Sequence, residues 1–361
     1  MKRSGCKSVI RLLFVQVVLI LSVAAYAADV DKQFSREFDA SAIELLKINN
    51  RYGDVEIVNS DNNRIIIVVN VKLSHPNSSR AEKLLSMINV EFSENDNTAE
   101  ARTVIDRQFS MDNRGPNHGF SIDYRVEMPA DMDLDLSNRY GDLKAGILTG
   151  HVDIRVKYGS LFIKGLTRQN EEPLNRITGE YLRVGDIAEA GWLELNLRYV
   201  NRLNILSAQA LLVNSRYSTN NNIDKVSSIV IDSKYDRFEI NDLNNIVAES
   251  AYTAYKIGNI SNKLDIETKY GSIEVENVEA GFELVKTDVA YSPVKIGFDN
   301  SASYSLKADT RYCGFSFNES KADIKQRIQE SNSMYLEAVI GKGGTKSEVI
   351  IDADYGSVKL Y

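Results

Sequence analysis

Acidic residues recur at one fixed place in this chain, three residues before a tyrosine. Two carboxylates held at a set distance on a rigid scaffold can cleave a glycosidic bond, as a glycosidase or lyase pair. Acidic side chains that return in every unit of a repeat are more often a solvated face, so we favour a surface role over catalysis. The residues are Asp232, Glu267, Asp288 and Asp309.

Basic residues stand directly before the same tyrosines. If both sets point outward, a basic row lies beside the acidic one. The rows then either neutralise each other, at less than about 1 kcal/mol per pair, or the basic row binds an anionic polymer such as an acidic glycan. We favour neutralisation and keep the row as a candidate binding site. Its residues are Arg139, Lys157, Arg198, Arg216, Lys234, Lys269 and Arg311, and Arg51 has the same position.

Other chemistry is sparse in the sequence. The histidines His75, His118 and His151 lack the spacing of metal ligands. The glycine-rich segment 341–345 lacks the spacing of a phosphate-binding loop, which favours a polar turn. We therefore predict no catalytic residue, no metal site and no cofactor.

The tyrosines themselves form a repeat. Between Tyr199 and Tyr270 the successive steps are 18, 18, 17 and 18 residues. A fixed period of this length indicates a repeat architecture. The repeat tyrosines are Tyr52, Tyr140, Tyr158, Tyr199, Tyr217, Tyr235, Tyr252, Tyr270, Tyr291, Tyr312 and Tyr355.

Apolar residues flank each tyrosine with a period of two, which predicts strands with one buried face. With the tyrosine as position 0, they occupy positions −6, −4, +3 and +5; around Tyr158 these are Val152, Ile154, Leu161 and Ile163. The parity changes between positions 0 and +3, where glycine, serine and aspartate are frequent, so the chain must turn there. Each repeat is thus predicted to be two short strands joined by a corner.

The same parity predicts that the tyrosine rings point inward and form a structural ladder in the core. Small polar residues at position −2, such as Asn138 and Ser233, would then bond the buried hydroxyls. The alternative is an exposed aromatic strip for stacking on sugars. In one irregular stretch Gly179 is expected to occupy the tyrosine position, and after Tyr199 the apolar residues fall one place late, as a bulge would produce.

Two strands in about 18 residues leave no room for a crossover helix and predict a mainly β fold, a β-solenoid with an N-terminal α+β cap. Successive coils would lie about 4.8 Å apart, so equivalent side chains stack in rows. One coil cannot bury enough apolar surface to fold alone. Stability is therefore expected to be collective.

Residues 1–27 are predicted to be a signal peptide, with a basic start, an apolar stretch and a small-x-small cleavage site. Its removal takes away four positive charges and moves the net charge from −7 to −11. We therefore expect an exported protein in the periplasm, on the outer surface or outside the cell. The mature chain is expected to have no transmembrane segment and no nucleic-acid partner. Cys313 would be its only cysteine, a structural thiol.

The remainder divides into two predicted parts. Residues 28–123 form the cap, with the first Tyr-Gly copy, a buried strand at 64–73, and a loop at 111–119. A short amphipathic helix at 78–88, capped by Ser78 or Ser79, completes the cap. Residues 124–361 form the solenoid repeats, in which the irregular stretch 318–347 protects the far end.

The segment YRVEMPADMDLDLSNRYGDL at 124–143 resembles the putative-adhesin β-strand-repeat family of bacterial envelope proteins, and 46–71 resembles that family's N-terminal portion. The chain is also similar to the head domains named for auto-transporter adhesins. The resemblance implies a right-handed β-helix-like fold and an envelope location. It offers no catalytic residues to carry over.

The sequence thus predicts a non-enzymatic binding or structural module of the bacterial envelope that contacts a glycan or an envelope protein. Two other hypotheses stay open. One is a carbohydrate-active enzyme, a glycosidase or lyase, built on a β-helix. The other is an envelope-stress accessory that acts through protein contacts.

Overall fold

A computed structural model describes residues 28–111, 118–342, 344 and 346–361. The predicted signal peptide lies outside the described residues, as does most of the predicted loop at 111–119. The helix α1 spans Ser78–Ser86, and two short 3-10 helices span Ala40–Ala42 and Glu319–Lys321.

Strands make up most of the described chain, so the prediction of a mainly β fold is confirmed. They are β1 (Ala28–Asp39), β2 (Leu45–Arg51), β3 (Val55–Asn59), β4 (Arg64–His75), β5 (Ile88–Asn95), β6 (Thr98–Ile105), β7 (Gly119–Met128), β8 (Asp133–Arg139), β9 (Leu143–Leu148), β10 (Val152–Lys157), β11 (Leu161–Leu166), β12 (Asn175–Glu180), β13 (Gly185–Arg198), β14 (Leu203–Arg216), β15 (Asn221–Lys234), β16 (Arg237–Ala251), β17 (Ala254–Lys269), β18 (Ser272–Val278), β19 (Leu284–Ala290), β20 (Pro293–Phe298), β21 (Tyr304–Ser316), β22 (Ala322–Gln329), β23 (Ser333–Ile340) and β24 (Glu348–Leu360).

The strand segments that precede the tyrosines pair in parallel and form what we call the first sheet. Its central order is β2, β8, β10, β12, β13, β14, β15, β16, β17, β19, β24 and β21. Residues at equal distances from their tyrosines pair with each other, as Arg198 does with Arg216 and Arg216 with Lys234. Equivalent side chains therefore stand in rows across the sheet.

The segments that follow the tyrosines form the second sheet, with the central order β7, β3, β9, β11, β13, β14, β15, β16, β17, β18, β20 and β24. Strands β13 to β17 and β24 are long enough to take part in both sheets. Because β17 and β24 each do so, the five strands β17, β18, β20, β24 and β19 form a closed ring of parallel pairings.

An aliphatic core fills the space between the two sheets. Positions −6, −4, +3 and +5 are buried as predicted: Val152, Ile154, Leu161 and Ile163 are each at most 3% exposed. Full burial of such a side chain stabilises the fold by about 2 kcal/mol. The rows of equivalent side chains thus give one continuous core along the stack.

The helix α1 lies at the N-terminal end, against β1 and β4. The side chain that caps it is Asn77, which accepts the Arg80 N–H at 2.9 Å; the prediction of Ser78 or Ser79 was wrong. The amide oxygen of asparagine serves this role as well as a serine hydroxyl. The helix ends at Ser86, and Ile88 already begins β5.

The C-terminal end departs from chain order. Strand β24 lies between β19 and β21 in the first sheet, pairing in parallel with both. Beyond it, β21 pairs antiparallel with β23, and β23 pairs antiparallel with β22. The last strand of the chain is therefore an internal strand of the sheet.

Candidate functional site

Twelve tyrosines stack into one continuous column along the corner between the two sheets. Neighbouring ring centroids lie 4.7–5.2 Å apart and the ring planes differ by 3–15°. This spacing matches that of paired strands. In spatial order the tyrosine column consists of Tyr52, Tyr140, Tyr158, Tyr181, Tyr199, Tyr217, Tyr235, Tyr252, Tyr270, Tyr291, Tyr355 and Tyr312.

The column lies outside the core, so the prediction of inward rings was wrong. Its side chains are 36% (Tyr52) to 56% (Tyr312) exposed. Every tyrosine of the column has a positive φ, between 49° and 68°. The left-handed backbone turns the corner at the tyrosine itself, which directs the ring outward and gives the interior position to the next residue, such as Ser218 or Thr253.

The irregular stretch also differs from expectation. Gly179 does not take the tyrosine position; Tyr181 does, with its ring between those of Tyr158 and Tyr199. The sequence signal was weak because Tyr181 follows Tyr158 by more than the usual step and is followed by leucine, not glycine.

Stacking compensates for the strain of the corner. A left-handed conformation costs a non-glycine residue roughly 1–2 kcal/mol. Each stacked ring pair contributes about 0.5–1.5 kcal/mol beyond burial, and every internal tyrosine has two such neighbours. The column therefore stabilises a corner that would otherwise favour glycine.

The stack also limits what the tyrosines can bind. Each internal ring has both faces covered by its neighbours, so no sugar can stack on them. Even the terminal ring of Tyr52 meets Phe120, with centroids 5.2 Å apart. The column presents ring edges and phenolic hydroxyls to solvent.

The polar residues at position −2 do not bond the tyrosine hydroxyls: asparagines there bond backbone carbonyl oxygens, and Ser233 bonds the Thr253 hydroxyl at 2.9 Å. Asn138 Nδ2 donates to the Gly53 carbonyl oxygen at 3.1 Å. Asn50 Nδ2 donates to the Ile122 carbonyl oxygen at 3.0 Å. These side chains tie one corner to the next from within.

A buried carboxylate lies beneath the middle of the column. Asp236, 6% exposed, accepts the Ser218 N–H at 2.6 Å. Burial raises the pKa of Asp236 to about 6, although the hydrogen bond from the Ser218 N–H acts to lower it. Burial likewise raises the pKa of Tyr255, an interior tyrosine outside the column, to about 12.

The basic residues before the tyrosines lie together in the register of the first sheet, but their row is interrupted. Lys157 is followed by Glu180, which it contacts at 2.5 Å. At the far end Arg311 contacts Asp354 of the same row at 2.9 Å. The full row is Arg51, Arg139, Lys157, Glu180, Arg198, Arg216, Lys234, Ala251, Lys269, Ala290, Asp354 and Arg311.

The acidic residues at position −3 form a longer run than the sequence suggested. Six successive strands carry Asp232, Glu249, Glu267, Asp288, Asp352 and Asp309. Glu249 and Asp352 were missed although they have the same spacing from Tyr252 and Tyr355. Burial, and then the neighbouring carboxylates of Asp288 and Asp309, raise the pKa of Asp352.

Neutralisation between the two rows is sparse. Within the described ranges, one ion pair joins a basic row residue to an acidic row residue, Arg216 to Asp232 at 2.9 Å. Most of the acidic run therefore lies on the surface without an ion pair to any cation of the described chain.

A groove of about 810 Å³ lies on the outer face of the second sheet. Hydrogen bonds between side chains run along the groove from strand to strand. Asn204 Nδ2 donates to Asp186 Oδ1 at 2.6 Å, and Asn222 Nδ2 donates to Asn204 Oδ1 at 3.0 Å. Phe162 and Leu206, the latter 60% exposed, supply apolar surface. We call this groove of about 810 Å³ the asparagine groove. Its charged lining residues are Lys144, Lys164, Asp186, Asp224 and Glu239.

Within the described ranges, metal-binding side chains do not converge. His75 and His118 come together, with ring centroids 5.0 Å apart, but in the described part of the chain no group of three metal-binding side chains is found. Burial raises the pKa of the Cys313 thiol, which disfavours a reactive thiolate. In the stretches that the structure describes, no helix is both long and apolar enough to cross a membrane.

No protein-family model and no curated protein matches the chain. Solved structures similar to it include a putative cell adhesion protein from Clostridium sporogenes, at 11% identity over 92% of this chain and 99% of that one, with a TM-score of 0.21. A putative adhesin from Parabacteroides merdae has 7% identity over 91% and 96%, with a TM-score of 0.33. A putative lipid binding protein from Parabacteroides distasonis has 10% identity over 91% and 96%, with a TM-score of 0.34. Because these TM-scores lie below 0.5, no function is transferred from these proteins.

Proposed function

We propose that this protein is a non-enzymatic binding module of the bacterial envelope whose asparagine groove contacts a glycan. We infer that it is exported, that residues 124–361 form a β-solenoid, and that residues 28–123 cap its N-terminal end. In this proposal the protein presents a long, rigid surface to which a polymeric ligand binds.

The chemistry of the asparagine groove supports a sugar ligand. Amide groups donate to and accept from hydroxyls, carboxylates accept from them, and Phe162 offers an apolar surface for sugar C–H groups. The bonds from Asn222 to Asn204 and from Asn204 to Asp186 hold the amides in place before the ligand arrives. Such preorganisation reduces the entropic cost of binding.

The charges of the groove favour a neutral glycan over an acidic one. Lys144 and Lys164 are outnumbered by Asp186, Asp224 and Glu239, which gives the lining a net charge of −1. Equivalent positions repeat about every 4.8 Å along the groove, and an extended polysaccharide also repeats its hydroxyl groups at regular intervals. A polymer can therefore make the same contact on several strands at once.

Affinity electrophoresis of residues 28–361 through gels that contain neutral bacterial or plant polysaccharides tests this proposal. We expect Phe162→Ala and Asn222→Ala each to weaken retention about tenfold, because each removes a contact of about 1.4 kcal/mol. The matched control is Asn262→Ala, an asparagine that makes the same kind of bond, to Asn245 at 2.7 Å, outside the groove.

Equal retention of all variants contradicts the groove as the glycan site. Release of reducing ends from a retained polysaccharide contradicts a non-enzymatic role and favours the glycosidase or lyase hypothesis instead.

The basic row is a second candidate site, for an anionic polymer. Arg139, Arg198, Lys234 and Lys269 form no ion pair with any described residue, so their charges are available to a ligand. Replacing three adjacent cations, Arg198, Arg216 and Lys234, with glutamine tests this candidate. Loss of retention on an acidic glycan supports it, and unchanged retention removes the row from consideration.

A further inference from the structure

Charge is segregated along the outer face of the first sheet, which we call the first face. On the six strands from β2 to β14, positions −1 and −3 carry six cations and one anion, a net charge of +5. On the six from β15 to β21 they carry three cations and seven anions, a net charge of −4. The first set is Arg51, Arg139, Arg155, Lys157, Arg198, Arg216 and Glu180, and the second is Lys234, Lys269, Arg311, Asp232, Glu249, Glu267, Asp288, Asp352, Asp309 and Asp354.

The boundary between the two halves is apolar. Leu212, Val230 and Val247 stand side by side on β14, β15 and β16, and are 45%, 47% and 42% exposed. They line a groove of about 460 Å³, whose rim also carries the carboxylates of Glu194, Asp232, Glu249, Asp265, Glu267 and Asp288. Nearby on β13 lies Trp192, the single tryptophan of the chain, partly exposed on the same face. Exposed aliphatic and tryptophan side chains in the middle of a face, with charges around them, are typical of a protein interface.

We propose that the first face joins two copies of this chain in a symmetric dimer. The two-fold axis lies in the interface, parallel to the strands, between β14 and β15. Rotation about this axis reverses the order of the strands in the second copy relative to the first. The positive half of each copy therefore meets the negative half of the other. The rotation also places Leu212 against Val230 of the second copy at the axis, and Val247 against Glu194. An isologous contact requires this kind of self-complementarity.

The register identifies the charges that meet. With the two-fold axis between β14 and β15, the third strand from one end of the first face, β10, lies opposite the third strand from the other end, β19. Arg155 of β10 therefore faces Asp288 of β19 in the second copy, at the same position before the tyrosine. By the same rule Arg176 of β12 faces Asp265 of β17. A two-fold axis perpendicular to the strands, along the direction in which they stack, would place the positive half opposite the positive half. That arrangement is disfavoured.

The area is sufficient for a stable contact. Twelve strands spaced about 4.8 Å apart are about 50 Å long, and four outward positions along each strand span about 20 Å, so the face covers on the order of 1,000 Å². Stable interfaces bury about 800 Å² per partner. The asparagine groove lies on the opposite side of the core, so it stays open in the dimer.

Sedimentation velocity of residues 28–361 over a range of concentrations and salt tests the proposal. We expect a dimer at low salt that weakens as salt rises, since its charged contacts are screened. Arg155→Glu should raise the dissociation constant about tenfold or more, because it places like charges opposite each other. Adding Asp288→Arg to the same chain should restore the dimer. Trp192 fluorescence should shift to the blue as the dimer forms.

The matched control is Arg125→Glu. Arg125 lies on the second sheet, has the same 47% side-chain exposure as Arg155, and likewise contacts two carboxylates, those of Glu56 and Glu127. It should leave the dimer intact. Thermal unfolding of each variant separates loss of the dimer from loss of the fold.

A chain that stays monomeric at every concentration overturns the proposal. So does a dimer that is weakened equally by Arg125→Glu and Arg155→Glu, or a double variant that fails to recover. Binding of a cationic peptide by a strictly monomeric chain identifies the negative half as the site of a different partner and also overturns it.

Discussion

The ring of Tyr355 stacks on that of Tyr312, with centroids 4.9 Å apart, although the antiparallel strands β22 and β23 separate the two residues in the chain. The contact exists because β24 lies between β19 and β21. Among the described strands, β21 is paired only with β24 and β23. The C-terminal strands β21 to β23 are therefore held to the body of the protein by the last strand.

Removal of β24 should detach β21, β22 and β23 from the rest of the protein. We expect a chain that stops after Ile340 to lose the order of β21, β22 and β23, because the buried Val349 and Ile351 and the strand pairing disappear together. Hydrogen exchange followed by mass spectrometry should show full exchange in 304–340 while β13 to β16 stay protected.

A synthetic peptide of residues 346–361 provides the control for this truncation. Its addition should restore protection of β21. Slow exchange in β21 of the truncated chain without the peptide contradicts the dependence on β24.

Replacement of one column tyrosine should separate stacking from backbone strain. Tyr217→Ala removes two ring contacts and keeps the left-handed backbone, so we expect a loss of about 1–3 kcal/mol in the free energy of unfolding. Tyr217→Gly loses the same contacts but relieves the strain, so it should be about 1 kcal/mol more stable than the alanine variant. Chemical denaturation measures both.

Tyr361→Ala is the control, since Tyr361 is 53% exposed but lies outside the column. If alanine and glycine at residue 217 give equal stability, the positive φ carries no strain.

Asp236 should make stability depend on pH. Its folded pKa of about 6 lies above the ordinary value of 3.8, so protonation favours the folded state, and the stability present below pH 4 is lost as the pH rises through 6. We expect Asp236→Asn to be about 2–3 kcal/mol more stable than the parent at pH 7. The two proteins should be nearly equal at pH 4, as judged by urea unfolding at each pH. A constant difference at both pH values would instead indicate a packing effect.

Glycine after the column tyrosines should be required where two corners approach closely. A Cβ on Gly141 would overlap the carbonyl oxygen of Gly53, so Gly141→Ala should cost about 2–4 kcal/mol and lower the melting temperature. Gly314→Ala is the control, because a Cβ there meets no atom within 4 Å. Equal melting temperatures for the two variants contradict the close approach of the corners.

The rows of buried residues could be predicted from the sequence because alternation depends only on local backbone geometry. The outward direction of the tyrosines could not, since the parity argument assumed extended backbone at position 0. A positive φ is rare for tyrosine, and here the stacked neighbour on another strand favours it. The place of Asp352 between Asp288 and Asp309 depends on the insertion of β24, which no local pattern encodes.

The internal position of β24 also affects the order in which the strands can pair during synthesis. The ribosome makes the chain from its N-terminus, so the 13 residues of β24 emerge after those of β21, β22 and β23. Strands β2 to β20 can pair with one another as they appear, but β21, β22 and β23 can pair only among themselves until β24 has been made. The segment 304–340 therefore stays undocked, and available to chaperones, until β24 has been made.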